Sequence, residues 1–435
     1  MPDVPAVLMR FDAGMGIGLG HLVRSLAVAV ELINRGCAVT VATRTTSPEF
    51  LARITDVGAG ILPLQPGFER AMLGREAWDS RRQLEDAEQV VAHAPPGGWD
   101  AVVVDHYCLS DPWETSLRGC TRRIIAIDDL ANRTHAVDVL VDQNWYGEQS
   151  AGRYMALVEP GTTMLLGPRF ALLHNAYRDY RVRRASVRNP PQRVLVNFGG
   201  TDAAGQTAQA LRALRHFPAL DVTVVLGTES AVSPEVSEAI EASGAQLRTA
   251  LPHLAEVLSS ADLAIGASGT ATWERICLAV PALVTTVSAA HSGVTRAFAE
   301  SGMLTWLGNA DQVGEAEYRG ALSDVMAQGG KQPLAIVDGF GAARVALATV
   351  PPVAGEFTKR RAARWEAASF VAGSLRDGDG PATWRSREAW FYEQVESEEG
   401  VTLITCNDVP VGVAAATGGT APGSLDPYLH TEELL

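Results

Sequence analysis

Short apolar runs alternate with stretches of helical periodicity along most of this sequence, and the alternation occurs in two series. The first series opens with the apolar run 6–11, a helical pattern from His21 to about Arg35, and a second apolar run at 38–43. The other runs lie at 101–105, 124–128 and 139–143 in the first series, and at 194–198, 222–226, 262–268 and 281–287 in the second. Buried strands that alternate with helices predict a parallel, doubly wound α/β sheet for each series.

A basic, proline-terminated segment separates the two series. It runs from Tyr177 to Gln192 and lacks apolar periodicity, so we interpret it as an interdomain linker. The sequence therefore predicts two Rossmann-like domains, at 1–180 and 190–350, which face a cleft. A ligand is expected at the carboxyl ends of both sheets, where polar loops follow the strands.

Residues 355–435 differ in composition and predict a small α+β extension. We expect a helix-like stretch at about 359–375, a helix around Trp384–Glu396 and a hairpin at VTLITCNDVPVGVAAA.

The net charge of the chain is −14, from 36 basic and 50 acidic side chains. An acidic surface argues against nucleic acid and anionic membranes as the main partner, although helix N-termini can still hold a nucleotide diphosphate. The five cysteines are scattered without metal-binding spacing, and the N-terminus lacks the apolar segment of a signal peptide. We therefore expect a cytoplasmic protein, and its oligomeric state is left open.

A glycine-rich loop follows the first predicted strand, and it ends at His21. Gly18 and Gly20 permit a sharp turn close to a ligand, and the helix that follows offers free N–H groups to an anion. The spacing is not G-x-G-x-x-G, and the second strand ends in Thr43 and Arg44 rather than in an acidic residue. This pattern disfavours a dinucleotide oxidoreductase. A tight turn without a ligand is the alternative interpretation.

His21 lies in the first turn of the predicted helix, and Arg24 follows on the same helical face. A neutral imidazole at this position can take a proton from an attacking water. On position alone, a histidine that only hydrogen-bonds the start of the helix is an equal alternative.

Two loops in the second series also join a predicted strand to a predicted helix. The first contains Gly199, Gly200, Thr201 and Asp202, and it suits a pyrophosphate or a sugar. A turn with a Thr or Asp helix cap explains this loop equally well.

The second loop, Ser268-Gly269-Thr270, consists of small residues that can cradle a phosphate. If Thr270 caps the helix, the capping-box position falls on Trp273. Glu274 is then free to accept hydrogen bonds from two ribose hydroxyls.

Polar side chains also end three predicted strands of the first series, where they tend to line a ligand cleft. These groups are Asp105-His106-Tyr107, Asp128-Asp129 and Asp142-Gln143-Asn144. Helix capping explains several of them equally well.

Taken together and in order, these motifs form a pattern that covers about residues 6–310. The pattern consists of Arg10-x-Asp12, Gly18-x-Gly20-His21-x-x-Arg24, Asp105-His106-Tyr107, Trp113-Glu114, Ile127-Asp128-Asp129-Leu130, Arg133-x-His135, Asp142-Gln143-Asn144, Leu165-Leu166-Gly167-Pro168, Phe198-Gly199-Gly200-Thr201-Asp202 and Thr272-Trp273-Glu274-Arg275. It resembles the UDP-2,4-diacetamido-2,4,6-trideoxy-β-L-altropyranose hydrolases of pseudaminic acid biosynthesis. That family is related to the GT-B glycosyltransferases that make peptidoglycan lipid precursors.

The resemblance implies a GT-B fold and cleavage of a UDP-sugar at the anomeric carbon with inversion. Water is the acceptor, UDP and the free sugar are the products, and neither a metal nor a cofactor is involved. His21 matches the catalytic histidine of the family, and Asp12 and Arg24 complete the predicted catalytic set. The predicted substrate-binding residues are Arg10, Gly18, Gly20, Tyr107, Gly199, Gly200, Thr201, Asp202, Ser268, Gly269, Thr270, Glu274 and His291. Glu274 among these matches the ribose-binding acid of the wider superfamily.

The chain departs from the family at Ser288-Ala289-Ala290-His291, where the family usually carries Asn-Gln. That segment helps to recognise the sugar, so the identity of the sugar is left open. The extension resembles the first half of a GNAT acetyltransferase through Arg364-Trp365, the helix around Trp390 and the hairpin. Because no pyrophosphate loop for acetyl-CoA follows, we infer a truncated module without acetyl transfer.

Two alternatives to hydrolysis are left open by the motifs. A glycosyltransferase needs the same UDP site and a base near the anomeric carbon, and it differs only in its acceptor. A non-catalytic sugar-nucleotide binder is the second alternative, although it would have no need of a base at the reacting centre.

Overall fold

The computed structural model divides the chain into two compact units. Unit 1 comprises Met1–Asn175 and Val337–Leu435, and unit 2 comprises Ala176–Ile336. The residues that the structure describes are 4–14, 19–65, 77–146, 150, 152–184, 187–200, 202, 204–227, 232–287, 292–334, 336–352, 357–363, 366–374, 386–387, 390–391, 395, 401–413 and 424–425.

Unit 1 is built on a parallel sheet of seven strands, in the order β3-β2-β1-β4-β5-β6-β7. Its elements up to residue 175 are β1 (Ala6–Phe11), α1 (Gly20–Asn34), β2 (Ala38–Thr43), α2 (Pro48–Asp56), β3 (Gly60–Pro63), α3 (Ser80–Val91), β4 (Ala101–Asp105), α4 (Asp111–Leu117), β5 (Ile124–Ile127), β6 (Val139–Asp142) and β7 (Thr163–Leu166). The chain leaves β1 toward β2 on one side and later returns to pair β4 on the other. A topological switch point, where such sheets bind ligands, therefore lies between β1 and β4.

The strands of unit 1 are continuous apolar runs because both faces of the sheet are covered. Val7 and Met9 of β1 belong to the core on the side of α1. Leu8, between them, belongs to the opposite core, together with Trp113 of α4. Burial on both faces is typical of parallel sheets and explains why β1 shows no alternation of polar and apolar residues.

Unit 2 contains a second parallel sheet, with six strands in the order β10-β9-β8-β11-β12-β13. Its elements are α5 (Ala176–Arg183), β8 (Arg193–Asn197), α6 (Gln206–Leu214), β9 (Asp221–Leu226), α7 (Pro234–Ser243), β10 (Gln246–Thr249), α8 (Ala255–Ser260), β11 (Leu263–Ala267), α9 (Thr270–Cys277), β12 (Ala282–Thr286), α10 (Ser292–Glu300), β13 (Thr305–Asn309) and α11 (Glu315–Gln328). The switch point of this sheet lies between β8 and β11, which are paired in parallel.

The chain then returns to unit 1. The returning elements are α12 (Gly341–Thr349), β14 (Phe357–Arg361), α13 (Ala367–Ser374), β15 (Thr402–Cys406), β16 (Val409–Val413) and β17 (Ser424–Leu425). The four strands form an antiparallel sheet, and residues of its β15–β16 hairpin share a core with α1 and α12.

Arg344 of α12 joins three parts of unit 1 through buried contacts. Its Nε donates to the carbonyl of Pro410 at 2.9 Å, its Nη1 donates to the carbonyl of Arg169 at 2.9 Å, and it pairs with Asp338. Because of these contacts, α12 packs in unit 1, whereas the sequence placed residues up to 350 in the second domain.

The prediction of two parallel, doubly wound domains with a small α+β extension is confirmed. Two local expectations differ from the structure. The first half of the expected linker forms α5, because Tyr177 is buried in unit 2 and Arg184 donates to the carbonyl of Ala261, which ends α8. The helix-like stretch at 359–375 begins instead as β14, because these residues pair with β15.

None of the helices in the described part of the chain combines the length and the apolar character needed to cross a bilayer.

Candidate functional site

His21 and Asp105 meet at the switch point of unit 1. His21 lies in the first turn of α1, which follows β1, and Asp105 is the last residue of β4. The Nδ1 atom of His21 is 2.6 Å from Oδ1 of Asp105, and both side chains are buried. The strand order β1-β4 thus brings together two residues that are far apart in sequence.

Asp105 also binds the side chains of Arg24 and Ser25. The guanidinium of Arg24 donates to both carboxylate oxygens of Asp105, at 2.8 and 2.6 Å, and the hydroxyl of Ser25 donates at 2.9 Å. Burial opposes the ionisation of Asp105, but Arg24 and His21 outweigh it and hold the pKa of this carboxyl well below its ordinary value. Asp105 is therefore a carboxylate that only accepts hydrogen bonds.

The ionised state of Asp105 assigns the tautomer of His21. A carboxylate at 2.6 Å requires a proton on Nδ1, so in the neutral imidazole the lone pair lies on Nε2. Nη2 of Arg24 lies 3.2 Å from Nδ1 of His21, because both nitrogens donate to Oδ1 of Asp105. An imidazole oriented by a carboxylate in this way is suited to act as a general base through Nε2.

Asp129 and Tyr107 complete the surroundings of His21. Nη1 of Arg24 donates to Oδ2 of Asp129 at 2.8 Å, and the hydroxyl of Tyr107 donates to the same oxygen at 3.3 Å. The ring of Tyr107 packs edge-on against the His21 imidazole, with 4.5 Å between centroids. Burial, with Asp129 acting in the same direction, raises the pKa of Tyr107, so its hydroxyl stays protonated and remains a donor.

A second buried network contains the predicted residues Arg10 and Asp12. Asp12 accepts hydrogen bonds from the hydroxyl of Thr43 at 3.0 Å, from the N–H of Arg44 at 2.6 Å and from Nε2 of His106 at 3.1 Å. Arg10 lies 2.9 Å from Asp12 and forms a two-pronged pair with the buried Asp86. These bonds join the ends of β1, β2 and β4 and so support the switch point, and the part of Asp12 in catalysis stays a prediction.

The first glycine loop of unit 2 follows β8 at the second switch point. Gly199 has a φ of 92°, a left-handed conformation that favours glycine. Both oxygens of Asp202 accept N–H groups of α6, from Gln206 at 3.0 Å and from Thr207 at 2.9 Å. The geometry of Asp202 is therefore that of a helix cap, one of the two interpretations that the sequence left open.

The second loop of unit 2 follows β11, across the switch point. Gly269, with a φ of 104°, precedes the first residue of α9, Thr270, and among the described residues no side chain caps this helix. The buried Oγ of Ser268 has no hydrogen-bond partner among the described residues. An uncapped helix N-terminus with a hydroxyl beside it is suited to an anionic group. The helix starts one position earlier than a Thr270 cap would require, because Gly269 occupies the cap position.

Glu274 is buried on α9, and it takes no part in capping that helix. Burial raises the pKa of Glu274, although the Tyr177 hydroxyl and Arg275 act in the opposite direction. Arg275 donates to the carbonyl of Ala267 at 2.8 Å and to that of Asn197 at 3.4 Å, so it joins the ends of β8 and β11.

The structure thus gathers His21, Arg24 and Tyr107 in unit 1, and places Gly20 at the uncapped start of α1. Gly199, Gly200, Ser268, Gly269, Thr270 and Glu274 lie at or beside the switch point of unit 2. Gly18, Thr201 and His291 lie outside the described residues. The predicted site lacked Asp105 and Asp129, although both were noted at strand ends. In the described part of the chain, no group of three or more His, Cys, Asp or Glu side chains could hold a metal ion.

The buried His135, which lies beside Asp128, is expected to make the stability of the protein depend on pH. Nδ1 of His135 is 2.7 Å from Glu114, and Nε2 is 3.8 Å from Asp128. Burial lowers the pKa of His135, but Asp128 and Glu114 outweigh burial and raise it to about 9. The folded-state pKa of His135 lies above the unfolded value of about 6.5. Protonation of His135 therefore stabilises the folded protein by up to about 3 kcal/mol below about pH 6.5, and this stabilisation is lost as the pH rises through about 9.

Urea unfolding of the wild type and of His135→Gln, at about pH 6 and about pH 10, measures this contribution. We expect the free-energy difference between the two proteins to be large at the lower pH and to shrink at the higher pH. The same difference at both pH values would show that His135 is not charged in the folded protein.

Comparisons with known proteins agree with this architecture. No protein-family profile matches the chain. The chain is 24% identical to the spore coat polysaccharide biosynthesis protein SpsG of Bacillus subtilis (strain 168) over 355 residues, which cover 77% of this chain and 94% of SpsG.

Among solved structures, MurG of Acinetobacter baumannii superposes with a TM-score of 0.52 at 14% identity, covering 79% of this chain and 99% of MurG. UGT89C1 of Arabidopsis thaliana in complex with UDP-L-rhamnose superposes with a TM-score of 0.50 at 14% identity, covering 90% of this chain and 100% of UGT89C1. The chain therefore shares the GT-B fold of two Rossmann-like domains, here with a small antiparallel sheet near its C-terminus.

Proposed function

We propose that this chain is an inverting glycosyltransferase that transfers the sugar of a UDP-sugar to a hydroxyl group, with His21 as the general base. The observation that carries this proposal is the bond between Nδ1 of His21 and the ionised Asp105, which directs the basic Nε2 away from the carboxylate. A binder without catalytic activity would have no use for this arrangement.

The proposed reaction is a single displacement at the anomeric carbon. Nε2 of His21 takes the proton of the acceptor hydroxyl while the acceptor oxygen forms a bond to the anomeric carbon. The bond from that carbon to the phosphate oxygen breaks, and UDP leaves with the electron pair. The positive charge that develops on the imidazole is stabilised by Asp105, which already holds the Nδ1 proton.

Unit 2 is the proposed nucleotide-binding half. The uncapped N-terminus of α9 and the hydroxyl of Ser268 suit a pyrophosphate, and Gly199 and Gly200 allow the backbone to approach it. Glu274 is proposed to accept hydrogen bonds from the ribose hydroxyls.

The relatives support the choice of a UDP-sugar, since UGT89C1 has been solved with UDP-L-rhamnose and SpsG takes part in polysaccharide biosynthesis. Hydrolysis is the second candidate function. The ordered motifs from Arg10 to Arg275 favour it, because they resemble a family that uses water as its acceptor.

The two candidates are separated by an assay of UDP release from a panel of UDP-sugars, with CMP-sugars as a control on the base and product NMR to identify the anomer. We expect UDP release to depend on an added hydroxyl acceptor and the product to have the inverted configuration. Release at an equal rate without any acceptor would favour the hydrolase, and no release from any sugar nucleotide would contradict both.

A further inference from the structure

The turn that carries Asp129 is held by a group of side chains from the segment after β6. Nη2 of Arg153 donates to the carbonyl of Asp129 at 3.3 Å and to the carbonyl of Leu130 at 3.1 Å. The hydroxyl of Tyr146 donates to the same carbonyl of Asp129 at 3.2 Å. The hydroxyl of Tyr154 donates to the carbonyl of Asp128 at 3.2 Å. The segment therefore hydrogen-bonds the carbonyls of three consecutive residues, 128–130.

Arg153 is itself fixed on two sides. Its guanidinium carbon lies 3.5 Å from the ring centroid of Tyr146, in a cation–π contact. Its Nη1 donates to Oδ2 of Asp142 at 3.1 Å, and the hydroxyl oxygen of Tyr154 lies 3.0 Å from the same oxygen. The planar guanidinium therefore reaches two backbone carbonyls and a carboxyl at once, which the single ammonium of a lysine cannot do.

The position of the Asp129 carboxylate depends on these hydrogen bonds to the turn, because the carboxylate itself makes few contacts. Oδ2 accepts from Arg24 and Tyr107, whereas the buried Oδ1 has no hydrogen-bond partner among the described residues. The turn also contains Ala131 in a left-handed conformation, with a φ of 49°. An unsupported turn of this kind would allow the carboxylate to shift.

We infer that Arg153 is a positioning residue for the reaction, acting on His21 through Asp129, Arg24 and Asp105. Asp129 holds one end of the Arg24 guanidinium, and the other end holds the Asp105 carboxylate that orients His21. A displacement of the 128–131 turn changes the position of Arg24 and then that of the imidazole. The inference rests on the proposed role of His21 as the base.

The test compares Arg153→Lys and Tyr146→Phe with the wild type. Lysine keeps the positive charge beside Asp142 but loses the guanidinium's bonds to the turn and its stacking on Tyr146. Phenylalanine keeps the ring beneath the guanidinium and removes only a hydrogen bond to the turn. We expect Arg153→Lys to lower kcat roughly tenfold to hundredfold with little change in KM for the UDP-sugar, because a displacement of about 1 Å at a catalytic group has effects of that size. Tyr146→Phe is expected to have a smaller effect in the same direction.

The matched control is Arg118→Lys. Arg118 also combines an ion pair, at 2.7 Å to Asp138, with a hydrogen bond to a carbonyl, at 2.8 Å to Ala136. These partners lie just before the first residue of β6, whereas Asp142 is its last residue. We expect this variant to keep the wild-type kcat.

A spectroscopic measurement reads the position of His21 without any turnover. The Nδ1–H proton of His21, bound at 2.6 Å to a carboxylate, is expected to give a downfield proton NMR signal, which His21→Asn assigns by its loss. The signal should broaden or shift in Arg153→Lys and Tyr146→Phe but not in Arg118→Lys. An unchanged signal in both site variants, or a change confined to KM, would overturn the inference even if the proposed function holds. If no UDP-sugar is turned over, the NMR signal alone tests the inference. If Arg153→Lys does not fold, the kcat and the NMR signal of Tyr146→Phe test it instead.

Discussion

Replacing His21 with asparagine is expected to lower kcat by roughly 10²–10⁴, the usual contribution of a general base. Asparagine can still donate from its amide to Asp105, so the buried carboxylate keeps a partner and the fold is preserved. What is lost is the basic Nε2, since an amide cannot take the proton of an acceptor hydroxyl. The measurement is steady-state UDP release, together with calorimetric titration of UDP. We expect UDP affinity to stay within about threefold of the wild-type value, because the proposed nucleotide-binding residues lie in unit 2.

The control variant is His93→Asn. His93 follows α3, and its Nδ1 lies 2.8 Å from the carbonyl of Gln89 on the exposed surface. This variant should retain the wild-type rate. If His21→Asn also retains it while UDP still binds, His21 has no part in the chemistry and the proposed mechanism fails.

The fold could be predicted from the sequence where strands are central and buried on both faces. The predicted run 6–11 coincides with β1, and the helix expected from His21 to about Arg35 corresponds to α1 at Gly20–Asn34. Edge strands could not be predicted in the same way, because a strand with one neighbour buries less of its surface. In β10, for example, three of the four residues are exposed. Strand β14 was missed because its pairing with β15 joins distant residues.

The site could be predicted only in part, because its geometry depends on the order of the strands. His21 and Arg24 are recognisable from local sequence, since a glycine-rich loop and a helix start surround them. Asp105 ends a strand in the same way as Asp128 and Asp142 do, and nothing local distinguishes these three. The pairing of β1 with β4 selects Asp105, and that pairing is not encoded in any short segment. The hydrogen bonds that Asp12 accepts from Thr43 and Arg44 likewise depend on the pairing of strands, and its part in catalysis stays a prediction.

Replacing Asp105 with asparagine is expected to lower kcat by on the order of 10⁴, the effect of the equivalent change in a serine-protease triad. An amide has only one oxygen, whereas Asp105 accepts from Arg24 at both oxygens and from His21 at one. If the amide nitrogen faces His21, it donates to Nδ1 and moves the imidazole proton to Nε2, which can then no longer act as a base. If the amide nitrogen faces Arg24 instead, the buried guanidinium loses one of the two oxygens to which it donates. The free energy of unfolding should fall by about 3 kcal/mol, the lower end for a broken buried ion pair, because Arg24 keeps Asp129.

Asp100→Asn is the matched control for this prediction, since Asp100 lies just before the same strand. Its carboxylate pairs with Arg122 at 3.0 Å and accepts the N–H of Ala6 at 2.8 Å. We expect that variant to keep the wild-type rate. The double variant His21→Asn with Asp105→Asn makes the sharper comparison, because residues that act as a unit have non-additive effects on rate. If Asp105 acts only by orienting His21, the double variant should be no slower than the slower of the two single variants. A rate that falls by the product of the two single effects would mean that Asp105 contributes independently of the imidazole.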